Sequence, residues 1–332
     1  MDNLSPVGKG RFIFFLSKIQ DILERATSSE NPALTVYSAN MRTPLFMLEA
    51  LCRLYKKIYR HKKLKKLNSV FKSLEDMLGQ VDYYDGFYKE FEKKKNLPVL
   101  ITVYTKEKRD EKIESLNHFL EKEKWLGKHK KRLSKINKKL GNIEWLDEKD
   151  DAAAVLKVFK KEIEKVIKKY KNYPKEFIDI ENDAHELRRQ LRWLSIYPQA
   201  LLGLVQLQPS GDAPAFLNKY FTPEIINSPF NKMPDGKGLQ QHILLDQNYF
   251  FALSWIISEL GILKDNGLKI GLLEESISNV YKTKKNVEPL AYSLCDDGQL
   301  TVPEILTHAQ NISNTFFNES VLDNLVLSNV VS

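Results

Sequence analysis

Four side chains able to carry positive charge stand at helical spacing between Asn182 and Leu194: His185, Arg188, Arg189 and Arg192, at i, i+3, i+4 and i+7. On a 3.6-residue turn these positions are neighbours, so they make one basic stripe. Leu187, Leu191 and Leu194 mark an adjoining apolar stripe, which lets the helix bury one side and offer guanidinium groups from the next. Planar guanidinium forks suit phosphate or carboxylate oxygens. The same spacing has a plainer reading, in which the arginines pair with acids of a neighbouring helix or lie solvated. A second stripe runs through Arg42, Phe46, Glu49, Arg53, Lys56 and Arg60. From Ala50 to Leu74 there are nine Lys or Arg and no acid, the most one-sided charge run in the chain.

The elements that must position these residues are predicted to be helices. Phe15, Ile19, Ile22 and Leu23 give a helix over about 10–25, ended by Ser28-Ser29-Glu30-Asn31-Pro32. A second is predicted over 34–61, where Pro44 either kinks it or marks its first turn. Residues 106–172 read as two long helices, about 108–140 with Gly141-Asn142 as its stop, and about 150–173, capped near Asp147 to Asp151 and ended before Pro174. Their polar faces are enriched in Lys130, Lys131, Arg132, Lys135, Lys138 and Lys139, then in Lys160, Lys161, Lys165, Lys168 and Lys169. Those lysines read either as a solubilising surface or as an extension of an anion-attracting field. An apolar helix over 240–260, another over 268–281 and a terminal segment over 303–330 complete the series.

The stripe at 185–192 resembles the first-helix motif of the CHAD domain, the conserved histidine α-helical domain. His185, Arg188 and Arg192 fall in its register, whereas Trp193 and Ser195 depart from its later basic positions. Gapless alignment of the first half places Arg42 on Arg188, Ala39 on His185 and Phe46 on Arg192. The family's second signature, Leu-Gly followed by spaced acids, is similar to Leu78-Gly79 with Asp85 and to Leu260-Gly261 with Asp265, each a partial copy. The second pair of signatures is 36 residues further apart than the first, and residues 206–240, with five prolines and three glycines, supply an insertion of that size.

The resemblance covers roughly residues 10–285. It implies an all-α fold of two helical bundles related by a pseudo-twofold, halves 1–173 and 174–332 in one compact unit, with the Pro-rich insertion in the second. It also implies a cationic groove shared by the 34–61 and 174–205 helices, with inorganic polyphosphate as ligand; the motif matches and the two basic stripes together give His185, Arg188, Arg189, Arg192, Arg42, Arg53, Lys56 and Arg60 as the expected anion-binding residues. Ala39, Phe46 and Glu49 remove charge from the first half, so the site is expected to be partly lost.

The bulk properties agree with a partner of negative charge without choosing it. The 332 residues carry a formal net charge of +8 and a pI near 9.1, so nucleic acid stays open as another polyanion. Cys52 and Cys295 give no disulfide framework, which suits a reducing cytoplasm. The run Phe12 to Leu16 is too short to span a membrane and reads as core. No phosphate loop, nucleophile elbow or zinc-ligand pair occurs; Gly8-Lys9-Gly10 is isolated, and Glu121 to Trp125 lacks the lysine of a CYTH triphosphate-tunnel motif. Ser293 to Glu304 is similar to the second half of an EF-hand loop, with Gly298 and Glu304 in place. Ser293 and Cys295 stand where carboxylates belong, so a capping turn is expected instead of a calcium site. The expectation is a non-enzymatic, cofactor-free anion-binding protein. The alternative is a protein-interaction or structural scaffold that keeps the fold without polyphosphate binding.

Overall fold

The computed structural model describes residues 6–127, 131–173, 176–209, 211–295 and 298–327. The chain is all-α. Its only named strands among the described residues are β1 (Val205–Gln208) and β2 (Ile243–Asp246), paired in parallel with Val205 opposite Ile243.

Helix α1 (Val7–Thr27) buries Phe12, Phe15, Leu16, Ile19, Ile22 and Leu23, so the early apolar run is core. The helix predicted over 34–61 is two. Helix α2 (Pro32–Ser38) is capped by the Asn31 side chain, which accepts from the Leu34 amide. The chain then turns through Asn40 at φ 53°, and α3 (Arg42–Tyr59) begins with Pro44 in its first turn. There the missing N–H has no helical partner to lose, so Pro44 starts the helix instead of kinking it. Arg60, in the left-handed conformation, ends α3, and His61 Nδ1 accepts from the Lys63 amide to open α4 (Lys62–Phe91).

The helix predicted over 108–140 is also two, α5 (Val99–Lys122) and α6 (Lys131–Gly141). Lys124 at φ 60° turns the chain so that Trp125, 2% exposed, enters the core. Arg132 then bonds back to the Glu123 carbonyl and carboxylate. Helix α7 (Glu148–Lys171) starts on an Asp147 cap with three acids in its first turn, where the helix dipole favours them. Pro174 and Lys130 lie outside the described residues.

A π-helical turn over Ile180–His185 leads into α8 (Glu186–Ala200). Among the described residues of 206–240 there are the rest of β1, two 3-10 turns (Ala215–Tyr220 and Pro229–Asn231) and the four-residue α9 (Pro223–Ile226), and no continuous helix runs from Pro223 to Pro234. The segment is nevertheless anchored, with Leu217 and Tyr220 buried in the main core. The helices predicted over 240–260 and 268–281 are one, α10 (Gln247–Tyr281). Gly267 does not break it, because its bare Cα admits Ile180: a Cβ there would stand 3.0 Å from Ile180 Cδ1. After α11 (Val287–Ser293), a Thr301/Glu304 capping box opens α12 (Val302–Asn318), which is the role of Glu304. Asp296 and Asp297 of the calcium-like loop lie outside the described residues. The terminal helix stops at Asn318, and Leu327 donates to the Leu244 carbonyl of β2. Val330 lies outside the described residues.

One apolar core runs through both predicted halves without a break at 173. Two helix series pack alike: α3 on α4 with α5 beside, and α8 on α10 with α12 beside, while α3 meets α8 in the middle. Among the described residues no helix is long and apolar enough to cross a membrane.

The series are tied together by a buried ion pair that no motif announces. Arg11 of α1 and Asp151 of α7 are 3% and 1% exposed, and their Nη1 to Oδ2 distance is 2.5 Å. Arg11 Nε donates to the Leu201 carbonyl at the end of α8 (3.0 Å). The fully buried Tyr55 hydroxyl of α3 accepts from Arg11 and donates to Asp151 Oδ1. Trp145 closes the cage, and a Cβ on Gly8 would meet its ring at 2.8 Å. Breaking a buried pair from one side strands a charge, so Asp151→Asn is expected to cost about 3–5 kcal/mol in urea unfolding. The double variant Arg11→Met/Asp151→Leu should recover part of that loss, because both charges leave together.

Candidate anion-binding site

The stripe of α8 and its preceding turn does not face solvent as one surface. Arg188 turns into the protein: its Nε donates to the Ile257 carbonyl of α10 (3.0 Å). Its pKa is lowered by burial, against the pull of Asp265. Arg192 lies with its guanidinium 4.5 Å from the Phe46 ring centroid, and its Nε is buried without a hydrogen-bond partner among the described residues. Burial, then the neighbouring Arg188, pushes it down to about 10, so it remains a cation at neutral pH. His185 and Arg189 stay nearer the surface but are held by local acids. His185 Nδ1 is 2.7 Å from Glu181, and Arg189 reaches Glu181 at 3.3 Å and Glu186 at 3.2 Å. Burial lowers the His185 pKa, which favours the neutral ring.

The two Leu-Gly signatures explain where Arg42 and Arg188 go. Arg42 Nε bonds Glu75 at 3.0 Å, its Nη1 pairs with Asp82, and a Cβ on Gly79 would stand 3.3 Å from its Nη2. Arg188 lies in the same way on Gly261, where a Cβ would be 2.9 Å from its Nε. Each arginine thus packs over the glycine of the next long helix, and Ile257 stands four residues before Gly261 as Glu75 does before Gly79. Asp85, the last acid of the first signature, accepts from the Tyr37 hydroxyl at 2.8 Å and pairs with Lys89 at 2.6 Å.

The departures from the motif meet at the α3–α8 contact. Phe46 and Arg192 occupy aligned positions and touch each other, so an arginine at 46 would set two guanidinium groups together where a ring now receives one. Trp193 receives Arg53, whose guanidinium sits 4.4 Å from a ring centroid, while Arg53 Nε donates to Tyr197. Glu49 is buried, with Oε1 unpartnered among the described residues. Lys56 is half-buried, its pKa lowered by burial and then by Arg53 and Lys57. Of the eight predicted residues, Arg42, Arg188, Arg192 and Arg53 are therefore structural partners, His185 hydrogen-bonds Glu181, and Arg189 pairs with Glu181 and Glu186. Arg60 is exposed at the end of α3.

Arg60 belongs to a different surface. It adjoins Lys62, Lys63, Lys65 and Lys66 in the first turns of α4, and Lys63 Nζ reaches the Asn142 carbonyl (3.4 Å), which brings in the end of α6. Lys138 is exposed and Lys139 half-exposed on that last turn. Residues 131–143 contain no acid, nor do 50–74. Positive charge at the start of α4 is unfavourable with its own dipole, and both push the local potential in one direction. The charge run was visible in the sequence, but its junction with α6 was not.

Glu49 offers a test of the buried cluster. Burial and then Glu75 push its carboxyl up to about 8, from an ordinary value of 4.5. The folded state therefore holds a proton that the unfolded chain has released, and stability present below the unfolded value is lost as pH rises toward about 8. Urea unfolding across that window should show a shallower pH dependence for Glu49→Gln than for the parent, with the variant the more stable above about pH 8.

Compared with known proteins, the chain matches no family model, no curated protein and no solved structure.

Proposed function

We propose that this chain is a non-enzymatic, CHAD-like helical protein that binds polyanions, inorganic polyphosphate among them, through the cationic edge formed by Arg60, the start of α4 and the end of α6. One observation carries the reading: three element ends supply solvent-facing cations from segments free of acid, joined by the Lys63 to Asn142 contact. A chain of phosphates needs many simultaneous contacts and no rigid pocket, which suits a row of solvent-facing lysines. The family resemblance adds the ligand class, and the matched seats of Arg42 and Arg188 on Gly79 and Gly261 support it. We place the protein in the cytoplasm, in keeping with Cys52 and Cys295 as free thiols.

A protein-interaction role is the second reading, favoured by Val99, Leu100 and Val103, which are 75%, 56% and 42% exposed at the start of α5. Retention of a protein partner after polyphosphatase treatment would support it.

Replacing Lys62, Lys63, Lys65 and Lys66 together by Gln should weaken binding of long-chain polyphosphate. It should also flatten log K against log salt by roughly 0.7–0.9 for each phosphate that is no longer neutralised, if nucleic-acid behaviour carries over. The pair Arg188→Met/Arg192→Met should leave that slope unchanged and lower the melting temperature. A salt slope that depends on the arginines and ignores the lysines would return the site to the α8 stripe.

A further inference from the structure

The Pro-rich segment, α10 and α12 border an open cleft of about 680 Å³ that shares no residue with the cationic edge. This volume lies in the ordinary range for small-molecule sites. Trp255 of α10 lines it, and Tyr220 stands beside Trp255 at 5.0 Å between ring centroids and 64° between planes. The α12 segment, with the residues just before it, lines it with the apolar Leu300, Pro303 and Ile312 and with the polar Glu304, Thr307, His308, Asn311 and Thr315, the last five spread over about 16 Å at 1.5 Å per residue.

The hydrogen-bonding capacity of those polar residues is largely unspent. Among the described residues, the His308 ring and the Asn311 carboxamide have no protein partner. The Thr307 and Thr315 hydroxyls donate to the Pro303 and Asn311 carbonyls and keep acceptor lone pairs. Glu304 Oε2 accepts from the Thr301 amide (2.8 Å), a bond that lowers its pKa and keeps the carboxylate ionised. Lys219 at the rim is paired with Glu319, which also accepts from the Tyr220 hydroxyl at 2.5 Å. The cleft therefore offers mixed donors and acceptors and no unpaired lysine or arginine among its described lining, and Glu304 opposes an anion. Its tilted aromatic pair provides one flat face instead of the parallel slot that a planar heterocycle would fill.

We propose that this cleft binds a neutral oligosaccharide. A pyranose ring would lay its C–H face on Trp255, and its hydroxyls, which both donate and accept, would exchange hydrogen bonds with Asn311, His308 and Glu304. The elongated row of polar residues suits several linked sugars more than one.

The test is calorimetric titration of the full chain with maltotetraose, cellotetraose and tetra-N-acetylchitotetraose. At least one should bind with 1:1 stoichiometry. Asn311→Ala and His308→Ala, both on the exposed side of α12, should each weaken it about fivefold with an unchanged melting temperature, as expected for removal of one hydrogen bond near 1 kcal/mol. Trp255→Phe should weaken it too, and long-chain polyphosphate should not compete. No binding of any of the three sugars at millimolar concentration overturns the proposal, as does binding that Asn311→Ala and Trp255→Phe leave intact. Adenosine or an unstructured peptide bound in their place, with the same variant sensitivity, overturns the sugar class. None of these outcomes depends on the lysine edge, so the two sites stand or fall separately.

Discussion

A guanidinium taken out of water must find its partners inside the protein, and Arg11 meets most of that need on three other elements, although its Nη2 has no hydrogen-bond partner among the described residues. Asp151 neutralises it, Tyr55 bridges the pair, and the Leu201 carbonyl takes a further N–H. These groups belong to α1, α7, α3 and the end of α8, so one electrostatic requirement fixes four elements that apolar contacts alone would let slide. The apolar core around them supplies most of the stabilising burial, but it is not directional. The ion pair adds the direction, and Trp145 with Gly8 keeps water from loosening it.

The same principle governs the centre of the molecule, where α3 and α8 meet. Arg42 finds acids, Arg188 finds a backbone carbonyl, and Arg192 finds the face of Phe46. These are three solutions to one desolvation problem, in decreasing order of electrostatic compensation, and the lowered pKa of Arg192 reflects the poorest of them. Phe46, Trp193 and Glu49 make sense on the same grounds. They lower the density of positive charge where the two helix series touch, so residues that look like a decayed anion site work as interior packing. Glu49 stays protonated at neutral pH, since burial and then Glu75 beside it raise its pKa.

What the interior gave up in free cations, the edge near Arg60 keeps. Lysines there have long stems and solvated heads, which cost little to hold apart and much to bring together unless an anion intervenes. The cleft beside α12 has different chemistry, because Lys219 at its rim is already paired with Glu319 and Glu304 adds a negative charge. The Pro-rich segment contributes to that cleft while burying Leu217 and Tyr220 in the main core. It is thus both an anchor and a wall.

The helical class, the seats of α1 and α7, the Asp147 cap and the absence of long helix in 206–240 were legible in the sequence, because periodicity, caps and prolines act through neighbours in the chain. Leu78-Gly79 and Leu260-Gly261 stood out in the sequence as two ordered motifs, but that Arg42 and Arg188 would pack on their glycines did not. Helix breaks at Asn40 and Lys124 were not, since each is a single left-handed residue without glycine, held in place by the burial of Met41 and Trp125 next to it. Nor was the continuity of α10 through Gly267, which depends on Ile180 from another element. The fate of each arginine was decided by tertiary structure alone: spacing puts His185, Arg188, Arg189 and Arg192 on adjoining faces of one helix, but only the packing of α3 and α10 determines which guanidinium groups are desolvated. Charge can be counted along a chain, whereas burial and pairing exist only between elements far apart in it.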